Sequence, residues 1–294
     1  MILVLRASAH AKLNLFLRVL AREEDGFHGI ETLFCLVSLA DELVVERREG
    51  RGATLAVEGS DCGPADDNLA TRAARMVLDA TGHPCAIHLT LRKRIPVQGG
   101  LGGGSSDGAT ALTLVNQLVG GVVPRHELLQ FAARLGSDIP FFLSGAPLAL
   151  AWGHGERMLR LPPLPSAPAL LLVPPVGVKT PEAYRQVDGA RQNAGRRGAV
   201  ALELDGLSSW GSVARLAGND FEFALFGRHP ELKRGFEALA ETHPLLCRMT
   251  GAGSTLFAVY RNARERDDAR MQLNPRLGQV IPVETLAAPP PGPA

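Results

Sequence analysis

The chain has 294 residues, a formal net charge of +1 and 46% hydrophobic residues. That length suits one large domain or two ordinary ones, and that apolar fraction supports a buried core. Near-neutral charge supplies no global field for nucleic acid or anionic membrane, and no apolar stretch approaches the roughly 20 residues of a membrane helix, so a cytoplasmic protein with neither partner is expected.

In chain order, residues 2–6 and 13–20 pattern as two strands. The second carries "AHAKLNLFL", in which Lys12 and Asn14 interrupt an apolar run on one face of the strand. "DELVVERR" and "ATLAVEG" predict two more strands, with "EGRG" as a hairpin turn between them. Asn68 then caps a helix whose Leu69, Ala73, Met76, Val77 and Ala80 share a face, and Gly82 closes it. "AIHLTL" is a strand, and the basic run Arg92-Lys93-Arg94 at its end has the pattern of a solvated strand end. A glycine-rich stretch leads into a second helix from about Ser106, with Ala111, Leu114, Val115 and Leu118 at helical spacing. Pro124 starts a third helix and Gly136 ends it. Asp138 follows, directly before Pro140 and an apolar run.

"LPPLPSAP", residues 161–168, is the clearest composition break and predicts a linker. Beyond it come the strand "ALLLVP" and a mobile loop over residues 189–208. "LCRMTGAGSTLFAVY" predicts two strands around a glycine turn, and "NARERDDARMQL" an amphipathic helix. The end, residues 287–294, patterns as a disordered tail. Strands interleave with helices without regular βαβ units, which favours α+β in two domains. The cysteines Cys35, Cys62, Cys85 and Cys247 form no C-x-x-C pair and predict free thiols rather than a zinc centre.

"PVQGGLGGGSSDGAT" is the segment that points to chemistry. Five glycines fall in the six positions from Gly99 to Gly104. Backbone N–H groups without Cβ atoms can surround an anion, and a helix start directly afterwards adds unpaired N–H groups and the positive end of the macrodipole. Ser105 and Ser106 add hydroxyls for phosphate or a magnesium ion. The Walker pattern fails, since no Gly-Lys pair exists in the chain, and the Rossmann pattern fails at its third glycine. "GSSDG" matches the hydrolase pattern G-x-S-x-G with Ser106 as nucleophile, but that elbow needs a strand running straight into the serine.

Taken together, these segments resemble the GHMP kinase superfamily, and within it the kinases that act on a cytidine diphosphate sugar alcohol. The resemblance rests on "AKLNL" at 11–15, "DGFH" at 25–28, the glycine loop, "GSDIPFF" at 136–142, Asn219-Asp220 and "MTGAGSTLFAV". They keep family order from about residue 9 to residue 260. Phe27 departs from the tyrosine usual there, and Gln98 and Gly108 depart from the usual loop residues.

The resemblance implies a two-domain α+β fold, with residues 1–161 and 162–286 flanking an active-site cleft. It implies transfer of the γ-phosphoryl group of ATP, with Mg²⁺, to the 2-hydroxyl of 4-diphosphocytidyl-2-C-methyl-D-erythritol in non-mevalonate isoprenoid biosynthesis. Lys12 and Asp138 match the catalytic pair. Pro96, Val97, Gln98, Gly99, Gly100, Leu101, Gly102, Gly103, Gly104, Ser105 and Ser106 match the triphosphate loop, and Asn68 the adenine contact. Asn14, Phe27, His28 and Tyr184 match the acceptor site. No residue matches a dedicated metal ligand, and a monomer or weak homodimer is expected.

Overall fold

The structure is a computed structural model and describes residues 3–24, 26–191 and 202–292. The first part of the chain forms β1 (Val4–Arg22), β2 (His28–Arg48), β3 (Gly52–Glu58), α1 (Leu69–Ala80), β4 (Ala86–Arg92), α2 (Gly103–Leu118), α3 (Arg125–Leu135), α4 (Ile139–Ser144), β5 (Leu148–Gly153) and β6 (Arg157–Arg160). The second part forms β7 (Pro168–Val173), α5 (Thr180–Arg191), a 3₁₀ turn (Leu204–Leu207), α6 (Trp210–Leu216), α7 (Asp220–Leu225), α8 (Pro230–Ala240), β8 (Leu246–Met249), β9 (Leu256–Val259), α9 (Ala263–Gln272) and β10 (Gln279–Glu284).

β1 and β2 run antiparallel along their whole lengths, from Val4 opposite Glu46 to Arg22 opposite His28. The two strands predicted over 2–6 and 13–20 are therefore one. Pairing with β2 carries the weakly strand-forming "ASAHAK" segment through, as tertiary context overrides propensity. Register shifts fall between His10 and Lys12 and between Asn14 and Phe16, so irregularities bracket the two polar residues of the strand. Such bulges re-aim side chains beside sites.

On its other edge β2 pairs β5 along one half and β4 along the other, giving the order β3-β4-β2-β5-β6 with β1 beyond β2. The predicted hairpin between β2 and β3 does not form. β3 lies parallel to β4, which is inserted between them, and α1 makes the crossover. Burial explains the arrangement: Ile87, Leu89 and Leu91 of β4 are fully buried, whereas β3 is a largely exposed edge. One βαβ unit is thus present where none was expected.

The second sheet, β10-β7-β9-β8, is antiparallel throughout. One apolar core joins the first sheet to α1–α4 and another joins the second sheet to α5, α7 and α8. A third runs between the sheets, from Leu13, Leu15 and Phe16 of β1 to Leu171 and Phe257. This shared core fixes one sheet against the other, which positions residues drawn from both halves.

Helix ends follow local chemistry. Asn68 Oδ1 accepts from Ala70 N at 2.9 Å, and Gly82 takes φ +73° past the end of α1. α2 begins at Gly103 rather than near Ser106, because Gly102 in the left-handed region turns the chain directly into the helix. Pro124, expected as the first residue of α3, is its N-cap, so the helix starts one residue later, at Arg125. Of the loop expected over 189–208, residues 189–191 belong to α5 and 204–207 to the 3₁₀ turn, while 192–201 lie outside the described residues.

Candidate active site

Lys12 and Asp138 meet at the floor of a cavity of about 740 Å³ that is lined from both halves of the chain. Their Nζ and Oδ2 atoms are 3.6 Å apart, with the lysine side chain 4% exposed and the aspartate 29%. Burial pulls the Lys12 ammonium below the usual lysine range, and the neighbouring Asp138 carboxylate opposes that shift. Asp138 occupies the N-cap position of α4 yet makes no capping hydrogen bond. Its carboxylate is left facing the cavity.

Asn14 organises the floor. Its Oδ1 accepts from Lys12 Nζ at 2.5 Å, from Gly251 N at 2.8 Å and from Thr250 Oγ1 at 3.2 Å. Its Nδ2 donates to Thr32 Oγ1 at 2.8 Å. This 1%-exposed amide therefore ties β1 and β2 to the turn between β8 and β9 while holding the lysine ammonium. The sequence-derived role for Asn14 was contact with the acceptor; the structure puts its side chain at the cavity wall with these four internal bonds.

The glycine loop closes on the same turn. Thr255 N donates to Gly99 O at 3.2 Å, and Lys12 N donates to Leu101 O at 2.9 Å. A Cβ on Gly100 would stand 2.2 Å from Thr250 O, and one on Gly102 would stand 2.7 Å from the Phe142 ring. Ser106 N already donates to Gly102 O at 2.9 Å, so the N–H groups of Gly103, Gly104 and Ser105 form the unpaired start of α2. Among the eleven expected loop residues, Gly100 and Gly102 line the main cavity, and the α2 start lies beyond them. Ser106 is 2% exposed within α2, which removes the hydrolase reading: a nucleophile elbow needs an exposed serine at a strand end. Asn68 caps α1 and does not line this cavity.

The solvated basic cluster is corrected at its centre. Lys93 is buried, with its ammonium bonded to Asp41 and, at 2.9 Å, to Asp107 Oδ2. Asp41 Oδ1 also accepts from the backbone N–H groups of Arg94 and Ile95. Burial pushes the Asp107 carboxyl up to about 7 against the pull of Lys93. This charged knot pins the end of β4 to the second turn of α2. Arg92 and Arg94 are exposed and fit the solvated reading, with Arg92 bridging Glu42 and Glu58 on the surface.

Phe27, His28 and Tyr184 all line the cavity opposite the floor. His28 stacks on Tyr184 with centroids 5.0 Å apart at 18°, and Tyr184 meets the edge of Phe221. Burial raises the Tyr184 hydroxyl to about 12, with the Asp138 charge adding to the shift. Phe27 leaves its ring 64% exposed. Asp25 of "DGFH" lies outside the described residues. The sequence reading missed Asp188, whose Oδ1 sits 2.7 Å from His28 Nε2. Its spacing of four residues after Tyr184 on a helix was the available signal.

Comparison with known proteins identifies the family. Residues 68–146 match the GHMP kinases N terminal domain and residues 199–278 the GHMP kinases C terminal. The chain is 39% identical over 260 residues to a 4-diphosphocytidyl-2-C-methyl-D-erythritol kinase of Solibacter usitatus, covering 86% of this chain and 80% of that protein. It is 34% identical over 288 residues to the enzyme of that name from Pelotomaculum thermopropionicum, covering 94% and 100%. A crystal structure of 4-(cytidine 5'-diphospho)-2C-methyl-D-erythritol kinase superposes with a TM-score of 0.79 at 34% identity, over 95% of this chain and 98% of that one. A homoserine kinase from Cytophaga hutchinsonii, at 19% identity and TM-score 0.67, shares the fold. The chain belongs to the GHMP kinases and, among them, to the 4-diphosphocytidyl-2-C-methyl-D-erythritol kinase family.

Proposed function

We propose that this chain transfers the γ-phosphoryl group of ATP to the 2-hydroxyl of 4-diphosphocytidyl-2-C-methyl-D-erythritol, giving the 2-phosphate and ADP, as a step of non-mevalonate isoprenoid biosynthesis. The observation that carries the reading is the Lys12–Asp138 pair, 3.6 Å apart at the floor of a cavity that also holds Gly100, Gly102, Phe27 and His28.

Asp138 accepts or orients the proton of the attacking hydroxyl, the role a carboxylate can fill within hydrogen-bond reach of that group. Lys12 pairs with Asp138 and stabilises negative charge growing on the alkoxide and on the transferring phosphoryl group. Asn14 holds the ammonium in place, so its charge is already directed before substrate arrives. The N–H groups at the start of α2 and the glycines before it receive the triphosphate, with Ser105 adding a hydroxyl. Asn68, at the N-cap of α1, stays a proposed adenine contact.

At the acceptor end, Tyr184 backs His28, and the exposed Phe27 ring offers a face for the cytosine. His28 addresses the edge of the base.

Among the described residues no group of three or more His, Cys, Asp or Glu could hold a metal ion alone. A magnesium ion would take most of its ligands from phosphate and water, and the Asp138 carboxylate and Ser105 hydroxyl are the protein oxygens we propose to help hold it. Such an ion would offset part of the negative charge of the triphosphate. No helix among the described residues is long and apolar enough to cross a membrane.

A coupled ADP assay tests the reading. ADP should form only when the cytidylyl acceptor is present, and Asp138→Asn should lower kcat by about a hundredfold or more. Turnover of homoserine or mevalonate with indifference to the cytidylyl acceptor would place the activity elsewhere.

A further inference from the structure

Thr180, Pro181, Tyr184, Arg185 and Asp188 reach the cavity from one face of α5, spaced as helical neighbours. Two of them grip the same imidazole. Tyr184 stacks on His28 at 5.0 Å and 18°, which fixes the plane of the ring. Asp188 Oδ1 lies 2.7 Å from Nε2, which fixes its rotation. His28 is 7% exposed, so little water competes for its nitrogens.

We infer that Asp188 is a positioning residue that makes His28 a hydrogen-bond acceptor and thereby selects an acceptor substrate bearing a 4-amino pyrimidine over its 4-oxo counterpart. A carboxylate only accepts hydrogen bonds, and a neutral imidazole carries a single N–H. The proton therefore sits on Nε2, directed at Asp188, and Nδ1 keeps its lone pair. Histidines oriented by a carboxylate behave this way elsewhere, with the bond to one ring nitrogen setting the role of the other.

Cytosine presents its exocyclic amine as a donor, whereas a 4-oxo pyrimidine presents an acceptor at the same position. An Nδ1 lone pair bonds the first and repels the second. A nearly dry site built to bond an N–H can reject the analogue lacking it by up to about 10⁴-fold. The sandwich between Tyr184 and Asp188 prevents the ring from flipping to offer its N–H instead.

The inference rests on the proposed cytidylyl acceptor, and the experiment separates the two. Wild-type, Asp188→Asn and Asp188→Ala proteins are assayed with 4-diphosphocytidyl-2-C-methyl-D-erythritol and with its uridine counterpart. Nitrogen NMR of the wild-type protein with labelled histidine reads the tautomer of His28 directly. Asparagine can offer its own N–H to Nε2, which releases the proton to Nδ1.

The wild-type protein should prefer the cytidylyl acceptor by about a hundredfold or more in kcat/KM and show the Nε2–H tautomer. Both variants should narrow that preference by about tenfold or more, through KM for the cytidylyl acceptor, while KM for ATP moves by less than about threefold. An unaltered preference in both variants, or an Nδ1–H tautomer in the wild type, overturns the role of Asp188 alone. A wild-type protein that turns over neither acceptor overturns the proposed function along with it.

Discussion

Asn14→Ala is the most informative single perturbation of the catalytic floor. The side chain is 1% exposed, and its amide oxygen accepts from Lys12 Nζ at 2.5 Å and Gly251 N at 2.8 Å. Its amide nitrogen donates to Thr32 Oγ1 at 2.8 Å. Alanine removes the acceptor of three donors; Thr250 Oγ1 keeps Gly100 O at 3.2 Å, which leaves two of them, one a cation, without that partner in a nearly dry site. Each orphaned donor costs about 1–3 kcal/mol, so the loss should total roughly 3–5 kcal/mol in urea unfolding, with the slope against urea unchanged. The kinetic effect should be separable from that loss. Lys12 keeps its 3.6 Å contact with Asp138 but loses its shorter anchor, and a displacement of about 1 Å beside the reacting atoms costs about a hundredfold in kcat. Urea titration and single-turnover ADP release at a temperature where the variant stays folded check both parts. A stability loss below about 1 kcal/mol together with kcat within about threefold of wild type would show that Asn14 neither supports the floor nor places the lysine.

Gly100→Ala should destabilise the protein by about 2 kcal/mol or more, because the residue has φ +76° and the new Cβ would stand 2.2 Å from Thr250 O. Gly104→Ala should instead leave stability equal or up to about 1 kcal/mol higher, since its Cβ meets only Leu69 at 3.8 Å, while raising KM for ATP if this backbone approaches phosphate; thermal melts and ATP titrations distinguish the two. Phe27→Ala should raise KM for the cytidylyl acceptor by about tenfold with kcat nearly constant, as one base–aromatic stack is worth about 1–3 kcal/mol. Asp107 is raised from 3.8 to about 7 in the folded protein by burial. The folded state therefore binds its proton more tightly, and the stability this group contributes is complete below about pH 4 and is lost as pH rises towards 7. Unfolding titrations across that window should show wild type losing stability with rising pH relative to Asp107→Asn; parallel curves would contradict the assignment.

The residues proposed to carry the chemistry were legible because their segments are short and ordered: "AKLNL", "GSDIPFF" and the glycine run each bring one element of the candidate site. Their supports were not. Asn14 and Gly251 bond across a separation of 237 positions, which no local pattern reports. Lys93 has the look of a solvated strand end because its two neighbours are arginines, and only the fold places Asp41 and Asp107 around it. The β2–β3 hairpin was predicted from a sound turn signal. It fails because β4, encoded later, is the more apolar strand and takes the central slot. Local chemistry foretold the helix caps at Asn68 and Gly82, and strand pairing, being non-local, went astray.

The glycine run has a second use beyond leaving room for a phosphate. At Gly100 the missing side chain makes way for protein backbone: Thr250 O occupies the space a Cβ would need, and Gly251 approaches Gly100 in return. Thr250 Oγ1 donates within reach of Gly100 O at 3.2 Å, and the adjoining Gly251 N bonds Asn14. The loop before α2 is thereby locked onto the turn between β8 and β9, and both are locked onto the strand that carries Lys12. Gly104, where an added Cβ would meet only Leu69 at 3.8 Å, is not required to be glycine by chain packing, and it is the position that the proposed ligand approach would explain. The interlock explains how the proposed phosphate site can do without its own lysine. The cation can come from β1 because the loop is fastened to β1, by Lys12 N to Leu101 O at 2.9 Å, at the residue that carries the charge. Positioning the ammonium and shaping the anion cradle are then one structural event, and a change that loosens either should be felt in both.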